Sequence, residues 1–454
     1  MSALDASIVN VALPTMSEKL GVTLAGIAWV VSIYLIVISA LIIFFGKIAD
    51  LTGKTRIFNF SIILFTVGSL ICGIADTFPV LLIARGIQAI GAAAGMSIHQ
   101  GIIAEVFDNT ERGRAFGTSG LVVALGNMAG PALGGLIVAF LHWHYIFLIN
   151  IPIGIIVFIL GKKYLPKDSK KLVNKSHLDG LGFSLFAVTM VLLFTAISKG
   201  EVVGYGDLPI ILLFIASAVS VILFLIREKK TETPMLDLNI FKNKLFSLSI
   251  FCALISFFVI SSGTIIFPYY LQNLLGMSPA IAGLIILASP VVLMIAAPIS
   301  GYASDKIGSE ILTFIGLLIT AISLFLMGLL WNQNTAIFVI ILLIGMMSLG
   351  SGMFQSPNIA LIMSTVPKDK MGIAGSINGL VRNVGMVLGV SLSSVLLWRL
   401  VSKNIGYQVL SYVPSRPDTF VYGMHWVLII EAIICMVGVT LTGVRIWSKN
   451  NVRM

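Results

Sequence analysis

Apolar runs broken by short polar turns recur along the whole chain and predict fourteen helices. They lie near 1–16, 25–48, 57–75, 79–104, 115–140, 145–161, 178–198, 207–226, 245–272, 280–302, 311–331, 335–364, 373–398 and 421–447. Most reach the ~20 residues that cross ~30 Å of hydrocarbon; the first and sixth are short. Composition agrees with the pattern. Hydrophobic residues make up 58% of the chain and charged residues 11%, where a soluble protein carries about 25% charged residues. One soluble core could not absorb this much apolar surface, so the chain reads as an all-α polytopic membrane protein. Cys72, Cys252 and Cys435 fall inside apolar runs and are expected to pack as free thiols.

The net charge of +10 changes the picture only through its distribution. With the turn SEKLGVTL placed outside, 22 of the 29 Lys and Arg fall on the opposite side, from Lys47, Lys54 and Arg56 to Arg445, Lys449 and Arg453. Five fall outside, and Arg85 and Arg382 lie within spans. Both termini are therefore expected in the cytoplasm. The basic residues mark topology and anionic headgroups, so nucleic acid is not an expected partner.

The chain also repeats itself. The turn after span 2 has Gly46, Asp50 and Gly53 in the pattern G-x-x-x-D-x-x-G, and Gly301, Asp305 and Gly308 repeat it after span 10. AGMSIHQGIIAEV in span 4 answers SGMFQSPNIALIM in span 12, and Gly126 and Gly130 answer Gly385 and Gly389. Three matches in order at nearly constant offset imply six spans, an inserted pair, then six more. Two like halves that rock about a midplane site are the logic of an alternating-access transporter.

Several stretches then stand in a telling order: LDASIVNVALP, GKIADLTGKTR, LLIARGIQAIGAAAG, GNMAGPALGG, FLINIPIG and PYYLQNLLGMSPAIAG. Together with the repeat they make the chain resemble the major facilitator superfamily, and within it the 14-span drug:proton antiporters. The resemblance covers essentially the whole chain. It implies a major facilitator fold with six-helix bundles at 1–161 and 245–454, and an inserted helix pair with basic linkers at 162–244.

Individual residues carry distinct physical arguments. Arg85 lies six residues into span 4, about 9 Å deep. A charge there is costly unless paired or hydrated, so it should face the interior; snorkelling to the interface is the alternative. Asp5 and Glu431 are the embedded acids that could partner it. Asp5 ranks first because it stands in a family signature, and a protonated Glu bonded to backbone is the plain reading of Glu431. By resemblance, Arg85 tunes a nearby proton acceptor. Asp5 lies about 16 Å below the external surface at Met16, and Met1 only ~22 Å below it. The first helix is therefore expected to lack its start. In GKIADLTGKTR, Gly46 and Gly53 permit close approach and a tight turn, Asp50 can cap a neighbouring helix, and Lys54 and Arg56 hold the cytoplasmic side. By resemblance this loop and its Asp305 counterpart form a cytoplasmic gate, with Leu51 and Thr55 where the pattern usually has basic residues; plain positive-inside topology is the alternative.

Gly126, Gly130, Pro131, Gly134 and Gly135 form a stripe that lets another backbone approach, with a proline that favours a kink. In the resembled family this motif marks exporters. His99, Gln100, Phe258, Tyr269, Tyr270, Gln272, Phe354, Gln355 and Asn358 are cavity candidates, although most such side chains simply pack against neighbours or lipid. No Cys/His/carboxylate cluster has metal-ligand spacing, and nothing resembles a Walker loop. Neither metal, cofactor nor ATP is expected; the proton gradient is the implied energy source. The reading is a non-enzymatic exporter in the bacterial plasma membrane that exchanges protons for amphipathic, monocationic or neutral compounds. Spans 9 to 13 lack embedded acids, which argues against dications. A dedicated exporter of one metabolite, lipid or peptide, or a non-transporting sensor, are the alternatives.

Overall fold

A computed structural model describes residues 1–166, 168, 179–409 and 411–452. Lys167, Lys170, Lys171, Lys175 and Arg453 of the charge count lie outside them. The described residues are helical throughout their ordered elements. The first part contains α1 (Ser2–Leu20), α2 (Leu24–Ile27), α3 (Trp29–Thr52), α4 (Lys54–Cys72), α5 (Phe78–Val106), α6 (Arg112–Phe140), α7 (Tyr145–Leu148) and α8 (Asn150–Tyr164). The inserted pair is α9 (Gly180–Val203) and α10 (Leu208–Lys230). Then come α11 (Lys244–Pro268), α12 (Pro279–Ile286), α13 (Ala288–Ile307), α14 (Ser309–Leu330), α15 (Ile337–Ser364), α16 (Met371–Ile405) and α17 (Pro417–Val452).

Thirteen helical stretches among these are long and apolar enough to cross a membrane. The helix α1 stands where the first span was expected, but Asp5, Glu18 and Lys19 within its 19 residues keep it out of that set. Prolines explain the irregular places. Pro268 ends the regular part of α11 and a single π turn, Tyr269–Leu274, follows it. The span expected at 280–302 is split at Leu287, just ahead of Pro290, into α12 and α13. Stripes of exposed apolar residues such as Phe60, Ile63, Val67 and Leu70 on α4 recur at helical spacing, the surface a bilayer covers.

The helices form two compact units. Unit 1 holds Met1–Val106, Leu125–Asn243 and Met363–Leu380, so the inserted pair belongs to it; unit 2 holds Phe107–Ala124, Lys244–Ile362 and Val381–Met454. The helices α6 and α16 each contribute to both. In unit 1 Ile8, Ala12 and Met16 of α1 pack with Leu81, Ala84 and Phe147 in one interior. In unit 2 Tyr270, Trp331, Phe354, Leu397 and Met424 are among the residues of one continuous core. The turns of the repeat share a backbone requirement: Gly53 and its mate Gly308 take φ of +117° and +94°, values that an L side chain resists.

Candidate functional site

Asp5 is fully buried in unit 1 and sits at the junction of several helices. Its Oδ2 accepts from Arg85 Nη1 at 2.7 Å. Its Oδ1 accepts from Gln88 Nε2 at 2.8 Å and from Asn150 Nδ2 at 3.0 Å. Arg85, 1% exposed, also donates through Nε to the Val30 carbonyl at 3.2 Å and lies over the Tyr34 ring at 4.2 Å. Gln88 Oε1 takes a further bond from Arg85, and Gln88 Nε2 reaches Ser69 Oγ at 2.8 Å. The partners come from α1, α3, α4, α5 and α8. Arg85 and Gln88 stand one helical turn apart on α5, so both reach the same carboxylate. Of the two acids expected as partners for Arg85, Asp5 is the one it meets, and snorkelling does not occur.

Glu431 belongs to unit 2 and is 1% exposed. Ser393 Oγ donates to its Oε1 at 2.6 Å and Ser262 Oγ to its Oε2 at 2.8 Å. Its oxygens are met by hydroxyls of α16 and α11, rather than by backbone as the plain reading held. Ser262 and Ser393 left no signal in the sequence beyond being small polar residues in apolar runs.

On the basic side, Asp50 accepts from the N–H groups of Gly372 and Ile373, both at 2.8 Å, at the start of α16. Gly46 makes room for this, since a side chain there would strike Ser376 and the Gly372 carbonyl. Lys54 is buried and pairs with Glu105 at 2.7 Å, while Arg56 reaches the Thr52 carbonyl at 3.3 Å. Asp168, which the sequence reading did not single out, accepts from the N–H groups of Thr55 and Arg56 at 3.1 and 2.8 Å. It lies beside Gly53. In unit 2, Asp305 accepts from Gly113 and Arg114 N–H at 2.8 and 2.9 Å.

The glycine stripe of α6 lies against α1. Side chains at Gly126, Gly130 and Gly134 would meet Ala3, Ser7 and Ile8 respectively, and Ser7 Oγ donates to the Gly126 carbonyl at 3.3 Å. Pro131 stands inside α6, and Gly135 points away from any neighbour.

The cavity candidates divide. Tyr270 stacks on Trp331 at 4.6 Å and 4° and donates to the Asn332 carbonyl. Phe354 is 1% exposed, packed where Gly316 admits its backbone. Both are core, which corrects the cavity reading: their large apolar surfaces are consumed by packing. Phe258 and Tyr269 pack against the same core, Tyr269 edge-on to Trp398. Asn358 is buried and donates to the Ser249 carbonyl, and Gln100 accepts from Asn378 Nδ2 at 3.2 Å. Gln272 and Gln355 are half-buried, and His99 is exposed.

The model of the Major Facilitator Superfamily matches residues 1–389 and 246–450. The chain is 34% identical over 443 residues to the riboflavin transporter RibZ of Clostridioides difficile (strain 630), covering 97% of this chain and 94% of that one. It is 30% identical over 398 residues to the multidrug resistance protein Stp of Mycobacterium tuberculosis (strain ATCC 25618 / H37Rv), covering 87% and 73%. In structure it is similar to the human organic anion transporter MFSD10 (TETRAN), with a TM-score of 0.69 at 11% identity and coverage of 97% and 96%. The matched family, the relatives and the helical fold agree: the chain belongs to the major facilitator superfamily, as a multi-pass membrane transporter of small molecules and not an enzyme.

Proposed function

We propose that the protein exports amphipathic compounds, neutral or monocationic, from the cytoplasm in exchange for protons. It would do so by alternating access in a bacterial plasma membrane, with both termini cytoplasmic. The observation that carries the reading is Asp5, a buried carboxylate held wholly by N–H donors. A proton that reaches Asp5 removes its charge and leaves Arg85 without a counter-ion, so the neighbourhood must reorganise. The new O–H also needs an acceptor. Asn150 supplies one, because its Oδ1 is buried and has no hydrogen-bond partner among the described residues. Glu431, neutralised in the same way among its serines, is a second proton site. Substrate and proton then drive each other provided they favour different states. Export as the direction rests on the α6 glycine motif, and drug breadth on relatives named for multidrug resistance.

The test is uptake of cationic dyes, quinolones and lincosamides by inside-out membrane vesicles that contain the protein. Uptake should rise with an imposed proton gradient, vanish when an uncoupler collapses it, and vanish in Asp5→Asn. Gradient-independent uptake sinks the proposal. A second reading, transport of one metabolite, is favoured by the riboflavin transporter at 34% identity; a panel in which a single compound moves would select it.

A further inference from the structure

The two membrane arginines are treated in opposite ways. Arg85 meets a carboxylate, an amide, a carbonyl and an aromatic ring. Arg382 lies in α16, eleven residues after Met371, about 17 Å along the helix and thus near mid-membrane. It is half-buried, and the Phe257 ring lies 5.9 Å from its Cζ. No carboxylate or hydrogen-bond acceptor among the described residues meets its guanidinium. Glu431 does not serve, because its oxygens are taken by Ser262 and by Ser393, the latter a further eleven residues along α16.

The face of α16 that carries Arg382 is partly packed against protein. Asn378, four residues before it, and Gly385 and Gly389, three and seven after, share its face of the helix. Asn378 reaches Gln100, and a side chain at Gly385 or Gly389 would strike the α11 backbone at Leu254 or Phe258. A guanidinium kept at mid-depth without a counter-ion is costly unless it is hydrated or paired, and an anion from outside the chain would pair it. Arginine's planar fork matches a carboxylate or similar oxyanion by two parallel hydrogen bonds, and the Phe257 ring beside it suits an adjoining apolar body.

We propose that Arg382 binds the anionic group of the transported compound, so that substrates are amphipaths bearing a carboxylate or comparable oxyanion, zwitterions included. This rests on the transporter reading but changes its charge class, from neutral or monocationic compounds to anions and zwitterions.

The test reads binding, without a gradient, from the fluorescence of two probes added to the purified full-length protein. Dansylglycine carries a carboxylate, and dansylglycinamide is its neutral match. The wild-type protein should bind dansylglycine at least tenfold more tightly than the amide. Arg382→Gln should bring that ratio near one by weakening dansylglycine alone, and Arg382→Lys should keep part of the preference. No preference in the wild type overturns the proposal, as does a preference that survives in Arg382→Gln. Should the glutamine variant not fold, the wild-type ratio and the lysine variant decide: an Arg382→Lys ratio equal to wild type overturns the assignment, and a reduced one supports it. Proton-driven transport of the amide alongside indifference to the carboxylate would overturn this inference and leave the exchange reading standing.

Discussion

Asp305 repeats in unit 2 what Asp50 does in unit 1: each carboxylate receives two consecutive N–H groups at the start of a helix. The recipient helices, α6 and α16, are the ones that carry the matched glycine pairs. Each cap joins a hydrogen-bond acceptor to the positive end of a helix dipole. Asp50→Ala and Asp305→Ala should each lower stability by about 1–2 kcal/mol in denaturant unfolding of the purified protein. The caps engage different helices, so the double variant should equal the sum within about 0.5 kcal/mol.

Removing one member of the Asp5–Arg85 pair leaves the other charge buried and unmatched. Asp5→Asn alone should cost about 3–5 kcal/mol of stability. Adding Arg85→Gln should restore part of that, with a coupling between the two of about 0.5–3 kcal/mol. Strict additivity in the unfolding midpoints would show that the two groups do not act as a pair.

The α6 stripe separates glycines that matter from one that does not. Gly130→Val drives a side chain into Ser7 of α1 and should cost about 1–3 kcal/mol. Gly135→Ala has open space around it and should be neutral or slightly stabilising. Equal loss in both, measured by thermal unfolding, would contradict the packing.

One pH effect lies outside the membrane. Lys370 donates to Asp237 Oδ2 at 2.7 Å, and this bond, with the Asn239 N–H and side chain, holds the Asp237 carboxyl below its ordinary value. The ionised form is therefore the one the fold favours. Its contribution is complete above the ordinary carboxylate value near 4 and is lost as pH falls through the lower folded value. Lys370→Met should move the acid-induced loss of hydrogen-exchange protection in Leu238–Lys242 to higher pH. An unchanged profile would count against the pair.

The spans were legible because about 20 apolar residues have few other uses, and the prolines that interrupt them act locally. Arg85's need for a partner was legible because an unpaired charge at depth is so costly, whereas Asp5 ranked ahead of Glu431 only through its family signature. Gln88 had a readable signal, one turn after Arg85, and Asn150 stands in the quoted stretch FLINIPIG. Neither could be aimed at Asp5 until α1, α5 and α8 were assembled. Asp168 was hidden because its role depends on chain distant in sequence. Arg382 was placed within a span but given no role, since its meaning lies in the lack of a partner among the described residues. Tyr270 and Phe354 went astray because an aromatic beside a polar break looks the same whether it lines a cavity or fills a core.

The donors around Asp5 also bear on the ion in the exchange proposed above. A sodium ion needs a shell of oxygens, and here Arg85, Gln88 and Asn150 turn nitrogen-bound hydrogens toward the carboxylate. A bare alkali cation would meet a guanidinium where it wants a ligand, whereas a proton adds no bulk and needs one acceptor. Discrimination between protons and sodium would thus come from the direction of hydrogen bonds.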